Sequence, residues 1–280
     1  MAHYAFRIVN VFAETPLGGN PLAVFEDALG MGDATMQALA LQFNLSETTF
    51  ILPSATATAR VRIFTPTFEM PFAGHPTLGT AQVVHRLRNC GDQLTLEMQA
   101  GRIPVSVNDN LWTLTAAQPT TRAPQASRAE LAQALGLNPD DIGETPLWVD
   151  TGSDQLVIPL NSAEAVRRCL PDAALMQRYC KNGPRILAYV WANSGAHEAA
   201  VRFFFNKHGS VIEDPGTGSA CANLGGYLLA TGRKWPLAWT LRQGDQVGRP
   251  CVLQLTLGAD GAIQVGGRVI EIGGGQINLP

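Results

Sequence analysis

Charge is scarce in this chain. Asp, Glu, Lys and Arg make up 15% of its 280 residues, and the formal net charge is -3. The 20 basic residues are scattered singly or in short groups such as "RLR" at 86–88. No basic face for a nucleic-acid backbone is therefore expected. Long apolar runs are missing as well: none reaches the ~18 residues of a membrane helix, so no membrane partner is expected either. The opening "MAHYAFRIVNVFAE" has no basic segment ahead of a long apolar one and does not read as a secretion signal. Cysteine is rare and unpatterned. Cys90, Cys169, Cys180, Cys221 and Cys251 form no C-x-x-C pair and no His/Cys ligand spacing. An odd set of reduced thiols in a cytoplasmic protein is the expectation, with no disulfide framework and no metal site. Nucleotide signatures are lacking too: there is no G-x-x-x-x-G-K-[ST], and no G-x-G-x-x-G opens an early βαβ unit.

What the chain has in quantity is apolar residues, 46% of the total, enough for one large domain or two of ordinary size. "AFRIVNVF" at 5–12 alternates like a strand, and "GGNPLAVF" supplies a turn and a second strand. "DATMQALALQF" at 33–43 places Met36, Leu39, Ala40 and Phe43 on one helical face, with Asp33 as its expected cap. "SETTFIL" and "ARVRIFTP" read as strands, and "TLGTAQVVHRLRN" reads as a helix rich in small residues. A hairpin series is expected from "QLTLEMQAGRIPVSVNDNLWTLT". "QPTTRAPQAS" at 118–127 has no periodicity and reads as a crossing between two lobes. After it, Ser127 and Glu130 form a capping-box pattern. Strands near 146–159, 186–192 and 199–206 and a helical segment at 163–170 complete the series. Strands and single helices mix without βαβαβ regularity, which argues for an α+β protein.

The chain also repeats itself. "VRIFTPTFEMPFAGHPTLGTAQVVHRL" from Val61 resembles "VRFFFNKHGSVIEDPGTGSACANLGGYL" from Val201. With one residue of slack, His75 falls opposite Asp214, Pro76 opposite Pro215, Gly79 opposite Gly218 and Ala81 opposite Ala220. A fainter echo joins "LGGNPLAVF" to "DTGSDQLVIPL". Duplication implies two related lobes with a cleft between them. Each copy reads as strand, Pro- and Gly-bearing loop, and helix N-terminus. The free amides of that N-terminus suit a substrate carboxylate. His75 and Asp214 are expected just outside their helices, facing the cleft. The competing reading is structural, with Asp214 an N-cap and His75 half-buried; the matched pair of turns favours the functional one. Glu47, in "NLSETTFIL", stands among Leu45, Thr48, Phe50 and Ile51, company that disfavours a charged carboxyl and suits proton transfer. By composition alone an ordinary turn glutamate is the stronger reading.

"GNPLAVF", "LSETTF", "FTPTFEMPFAGHPTLGTA", "EDPGTGSACANLGGYL" and "LRQGDQVGRPCVLQL", in that order, resemble the phenazine-biosynthesis isomerase (PhzF-like) family over about residues 5–270. The resemblance implies a diaminopimelate epimerase-like α+β fold. Each of its two pseudo-symmetric lobes is a mostly antiparallel sheet wrapped round a central helix, here 1–118 plus about 267–280, and 124–266. The active-site cleft would lie between them. It implies Glu47 as the proton-moving group, His75 and Asp214 as its flanking catalytic residues, and Gly74, Gly216, Thr217, Gly218 and Ser219 as carboxylate-holding turns. It implies no cofactor, no metal, a small-molecule carboxylate substrate and a homodimer. Relatives that racemise use two cysteines at the paired turns, where this chain has His75 and Asp214. "QGDQVGRP" either lines the cleft through Gln243 or Arg249 or is a corner built on Gly244 and Gly248. The function expected is a cofactor-independent isomerase moving a proton between carbons of a small carboxylic acid. The alternatives are a catalytically silent metabolite-binding protein and an amino-acid epimerase or dehydratase.

Overall fold

Hydrophobic periodicity alternating between two and 3.6 residues resolves into eighteen strands and six α-helices among the described residues of a computed structural model, which cover 2–207 and 209–279. Residues 1 and 280, which the expected first lobe includes, lie outside them. Contacts divide the chain into two units, Met1–Thr115 with Gly266–Pro280, and Ala116–Val265.

In the first unit β1 (Ala2–Val11) is antiparallel to β2 (Asn20–Phe25). Helix α1 (Asp33–Phe43) crosses to β3 (Thr48–Leu52), parallel to β2, and β3 turns back as β4 (Ala59–Phe64). The short β5 (Glu69–Met70) pairs with the end of β4. Helix α2 (Gly74–Arg88) then crosses to β6 (Gln93–Met98), parallel to β4, and a meander follows through β7 (Gly101–Asn108) and β8 (Leu111–Thr115).

The second unit opens with β9 (Thr120–Arg122), a strand inside the aperiodic segment read as a crossing between lobes, and the capped helix α3 (Arg128–Ala134). It continues through β10 (Leu147–Asp150), β11 (Gln155–Pro159), α4 (Ala163–Arg168), α5 (Ala173–Tyr179), β12 (Lys181–Asn182) and β13 (Arg185–Gly195). Then come β14 (Glu198–Lys207), β15 (Ser210–Asp214), α6 (Gly218–Ala230), β16 (Leu237–Gln243) and β17 (Cys251–Leu257). The last strand, β18 (Ile263–Leu279), belongs from Gly266 onward to the first unit, where it runs antiparallel beside β1.

The two units share one pairing order. From β1 through β2, β3, β4, β6 and β7, neighbours are antiparallel, parallel, antiparallel, parallel, antiparallel. From β10 through β11, β13, β14, β16 and β17 the same alternation recurs. Each parallel step needs a crossover. These are α1 and α2 in one unit, α4 with α5 and then α6 in the other. The fold is α+β and the duplication is visible in its connectivity.

Helix α2 touches β1, β2, β3, β4, β6 and β8, and every residue from His75 to Val84 is buried. A helix enclosed on all sides must be slim where strands approach it. A Cβ on Gly79 would meet Leu22 Cδ2 at 2.7 Å and Val11 Cγ2 at 2.8 Å. The few aromatics are concentrated: Phe6, Phe25, Phe43, Phe50 and Phe64 pack together beneath α1, with Phe25 stacked on Phe50 at 4.9 Å.

Two local expectations are corrected. Asp33 does not cap α1: Gly32 is the N-cap without a side-chain bond, and the Asp33 carboxylate accepts instead from Arg62 Nη1 at 2.6 Å. A cationic partner across the sheet outcompetes the helix's own amides. His75 is not outside α2 but is its second residue, because Ala73 is the N-cap.

Candidate active site

Each unit carries an arginine clamp. On β4, Arg62 donates to both oxygens of Glu69 on β5, at 2.7 and 2.6 Å, with its guanidinium 5.0 Å from the Phe64 ring centre. On β14, Arg202 donates to both oxygens of Glu213 on β15, at 3.1 and 2.7 Å, and lies 4.7 Å from the Phe204 ring centre. Planar two-pronged pairs of this kind fix orientation as well as charge. Counting onward from each glutamate, Pro71 answers to Pro215, the N-cap Ala73 to the N-cap Thr217, and the first helical Gly74 to Gly218.

That register corrects the repeat. His75 is the counterpart of Ser219, and Asp214 is the counterpart of Met70. The sequence pairing of His75 with Asp214 leaned on two following prolines that play different parts. Pro76 is inside the first helical turn, where a missing N–H costs nothing, whereas Pro215 precedes its helix. The slack was also too small. The span from Arg202 to Glu213 is four residues longer than that from Arg62 to Glu69, all of it in the β14–β15 hairpin.

In the first unit the structure brings Glu47 and His75 together. Glu47 follows the left-handed Asn44 that ends α1 and immediately precedes β3; His75 enters from α2. Glu47 Oε2 lies 3.3 Å from His75 Nδ1, and the side chains are 16% and 5% exposed. Burial pushes the His75 imidazole down to about 4, with the neighbouring Pro21 carbonyl acting in the opposite direction. Near pH 7 the ring is neutral. Its Nε2 is buried and has no hydrogen-bond partner among the described residues. Beneath the pair, Thr49 on β3 and Thr80 on α2 share a hydroxyl bond of 2.8 Å that ties strand to helix.

In the second unit Asp214 ends β15. Thr217 Oγ1 donates to Asp214 Oδ2. Gln243, 1% exposed at the end of β16, closes the turn from the other side. Its Oε1 accepts from the Thr217 N–H at 3.2 Å, and its Nε2 donates to the Asp214 carbonyl at 2.8 Å and to Thr217 Oγ1 at 3.0 Å. Thr217, expected among the carboxylate-holding residues, thus has both its amide and its hydroxyl engaged within the turn. Gly244 follows with φ 85°, and a Cβ there would meet Arg249 O at 2.2 Å and Pro215 O at 2.5 Å. "QGDQVGRP" is therefore a corner that presses on the Asp214 turn, with Gln243 as the residue that joins them.

Ser219 opens a second buried network. Its Oγ accepts from Gln155 Nε2 at 2.9 Å, Gln155 Oε1 accepts from Asn223 at 2.9 Å, and Asn223 Oδ1 accepts from the Thr151 hydroxyl at 2.6 Å. Asn223 stands inside "EDPGTGSACANLGGYL" and Gln155 inside "DTGSDQLVIPL", but nothing in either stretch marks them as partners, because their contact depends on which strand the helix packs against. Gly74 and Gly218 are the first residues of α2 and α6, whose N-caps make no side-chain bond to the helix. A groove of about 510 Å³ lined by Arg122, Trp148, Arg178, Tyr179 and Lys181 shares no residue with these sites. Among the described residues no three His, Cys, Asp or Glu side chains are grouped to hold a metal ion. No helix among them is long and apolar enough to cross a membrane.

Known proteins resemble the chain along nearly its whole length. The model of a family described as phenazine biosynthesis-like protein matches residues 9–274. An uncharacterised isomerase of Pasteurella multocida is 42% identical, over 99% of this chain and 95% of its own. The trans-2,3-dihydro-3-hydroxyanthranilate isomerase of Pseudomonas aeruginosa is 36% identical over 88% of each chain. Among solved structures, a Bacillus anthracis phenazine biosynthesis protein of the PhzF family superposes with a TM-score of 0.88 at 24% identity, covering 100% of both chains.

Proposed function

The chain belongs to the phenazine biosynthesis-like family and is an isomerase; from that membership and the Glu47–His75 contact we propose that Glu47 carries a proton between two carbons of a small carboxylic acid. The observation that supports this most is a carboxylate 3.3 Å from an imidazole that burial keeps neutral. A protonated His75 would hold Glu47 in an ion pair and lower its affinity for a proton. A neutral one leaves the carboxylate able to take a proton and to give it back. One group acting in both directions yields an isomerisation and needs no cofactor.

Taking a proton from carbon builds negative charge on the substrate beside its carboxylate. Amides at helix starts are suited to receive such charge, because they lack internal acceptors and stand at the positive end of the dipole. Gly74 opens α2, Gly218 and Ser219 open α6, and Gly216 lies in the turn before it. The Ser219 hydroxyl accepts from Gln155, which leaves its own proton for an outside acceptor. Asp214 is assigned to the same turnover. Trans-2,3-dihydro-3-hydroxyanthranilate, named for the Pseudomonas aeruginosa relative, is the first compound to test.

The test is incubation of wild type and Glu47→Gln in heavy water with that compound and a panel of small amino, hydroxy and unsaturated acids, read by mass spectrometry. Deuterium uptake by wild type that Glu47→Gln loses supports the proposal. Ligand-induced thermal stabilisation without uptake across the panel would move the reading to a metabolite-binding protein.

A further inference from the structure

Gln243 does more than brace a corner. A side-chain amide offers one acceptor and two N–H donors, and here all three have partners: the Thr217 N–H, the Asp214 carbonyl and Thr217 Oγ1. The amide has only one orientation that works. Turned over, its NH2 would face the Thr217 N–H and its oxygen would face the Asp214 carbonyl, two repulsions in a buried place. With Nε2 donating to Thr217 Oγ1, the hydroxyl hydrogen is directed to its other neighbour, Asp214 Oδ2. Direction is thereby imposed along the whole series, from amide to hydroxyl to carboxyl oxygen.

We propose that Gln243 is a positioning residue that, through Thr217, fixes Asp214 Oδ2 as a hydrogen-bond acceptor and so holds Asp214 in its ionised form. A protonated carboxyl with its hydrogen on Oδ2 would point that hydrogen at one already there, and one protonated on Oδ1 would accept the Thr217 hydroxyl more weakly than the carboxylate does. Asp214 accordingly serves as a fixed negative charge or proton acceptor, while Glu47 takes the proton from carbon and gives it back. This division of labour rests on the reading that Asp214 takes part in turnover; the hydrogen-bond direction itself does not.

Other ionisable groups stand around the turn. Cys251, paired with Gln243 across β16 and β17, is a thiol that burial first, and Asp214 next, push upward from its ordinary range, so it stands as neutral S–H. Asp245 and Arg249 face the same thiol from the corner between those strands. On β15, Glu213 is occupied by Arg202.

The experiment uses the full chain with carbon-13 at the aspartate side-chain carboxyls, and Asp214→Asn to assign the resonance. Titrations of wild type, Thr217→Val, Gln243→Met and Gln243→Glu are compared. The expected result is an Asp214 midpoint about one pH unit or more higher in Thr217→Val and Gln243→Met than in wild type, and higher again in Gln243→Glu. An unchanged midpoint in Gln243→Met overturns the proposal, whatever Thr217→Val does. If Gln243→Met fails to fold, the uncharged Gln243→Leu decides it alone, since a glutamate raises the midpoint by its charge with or without the relay. A parallel heavy-water assay with trans-2,3-dihydro-3-hydroxyanthranilate should show turnover of Gln243→Met reduced about tenfold to a hundredfold, with KM little changed. Absence of exchange by wild type would count against that substrate and leave the carboxyl titration to decide the relay.

Discussion

Met70 and Asp214 hold the same place in the two units: each directly follows the glutamate of an arginine clamp and ends a short strand leading to an enclosed helix. One copy of the position carries a thioether and the other a carboxylate, on the same frame. Replacement should therefore be asymmetric. Asp214→Asn is expected to lower proton exchange by about a hundredfold or more, the scale of a lost acid–base group, while Met70→Leu changes it little. Equal losses from the two variants, in the heavy-water assay, would mean that the position is structural in both units.

The buried imidazole predicts a pH dependence of stability. The unfolded chain takes up a proton on His75 near 6.5, whereas burial delays uptake in the folded chain to about 4. The stability tied to the neutral ring is complete above about pH 6.5, falls as the pH drops from 6.5 to 4, and then levels off. The loss is on the order of 3 kcal/mol. Urea unfolding at pH 7.5, 5.5 and 4 should show His75→Asn losing less stability over that range than wild type. Parallel declines would exclude His75 as their source.

The clamp on β14 and β15 is predicted to contribute more than a surface ion pair. Arg202 and Glu213 are 12% and 8% exposed, and Glu213→Ala leaves the buried guanidinium its three backbone carbonyls but no carboxylate. The cost should be about 3 kcal/mol. Glu164→Ala, which breaks the exposed pair with Arg167, should cost no more than ~0.5 kcal/mol. Chemical denaturation of the two variants compares them directly, and similar costs would show that the clamp does not hold the β15 turn.

Thiol chemistry separates this chain from a two-cysteine racemase. Cys169 and Cys180 are pushed up to about 12 by burial, Cys221 and Cys251 are raised further, and Cys90 alone among the five is not buried. Iodoacetamide on the native protein should add one label, at Cys90, and leave proton exchange intact; denaturant should expose all five thiols. Loss of exchange on labelling Cys221 or Cys251 in the native state would restore the thiol mechanism.

Much of this was legible in the chain. The bounds of α1 follow from Met36, Leu39 and Ala40 recurring at helical spacing, and the capping box at Ser127 forms as its residue types require. The duplication could be seen in "VRIF" and "VRFF", because a strand must repeat its side-chain alternation wherever it packs the same way. Its register could not. A hairpin may lengthen at its exposed tip without moving what lies beyond it, and a match of two X-Pro pairs records local backbone preference, not equivalent position. Gln243 was visible only as one of two options. Its bonds reach 26 and 29 residues back along the chain, and such pairings depend on which strands become neighbours.

His75 stands six positions after Glu69, and Ser219 six after Glu213. The clamps thus behave as fixed calipers, with slack permitted on one side only. Insertions in the β14–β15 hairpin should be absorbed at its far end, as the four extra residues already are in its longer paired arms. A single residue added between Glu213 and Ser219 would turn the start of α6 by about 100° relative to its strand, carrying Ser219 away from Gln155. Length variation in chains built this way is expected to collect upstream of the clamp glutamates and to be excluded from the six-residue span that follows them.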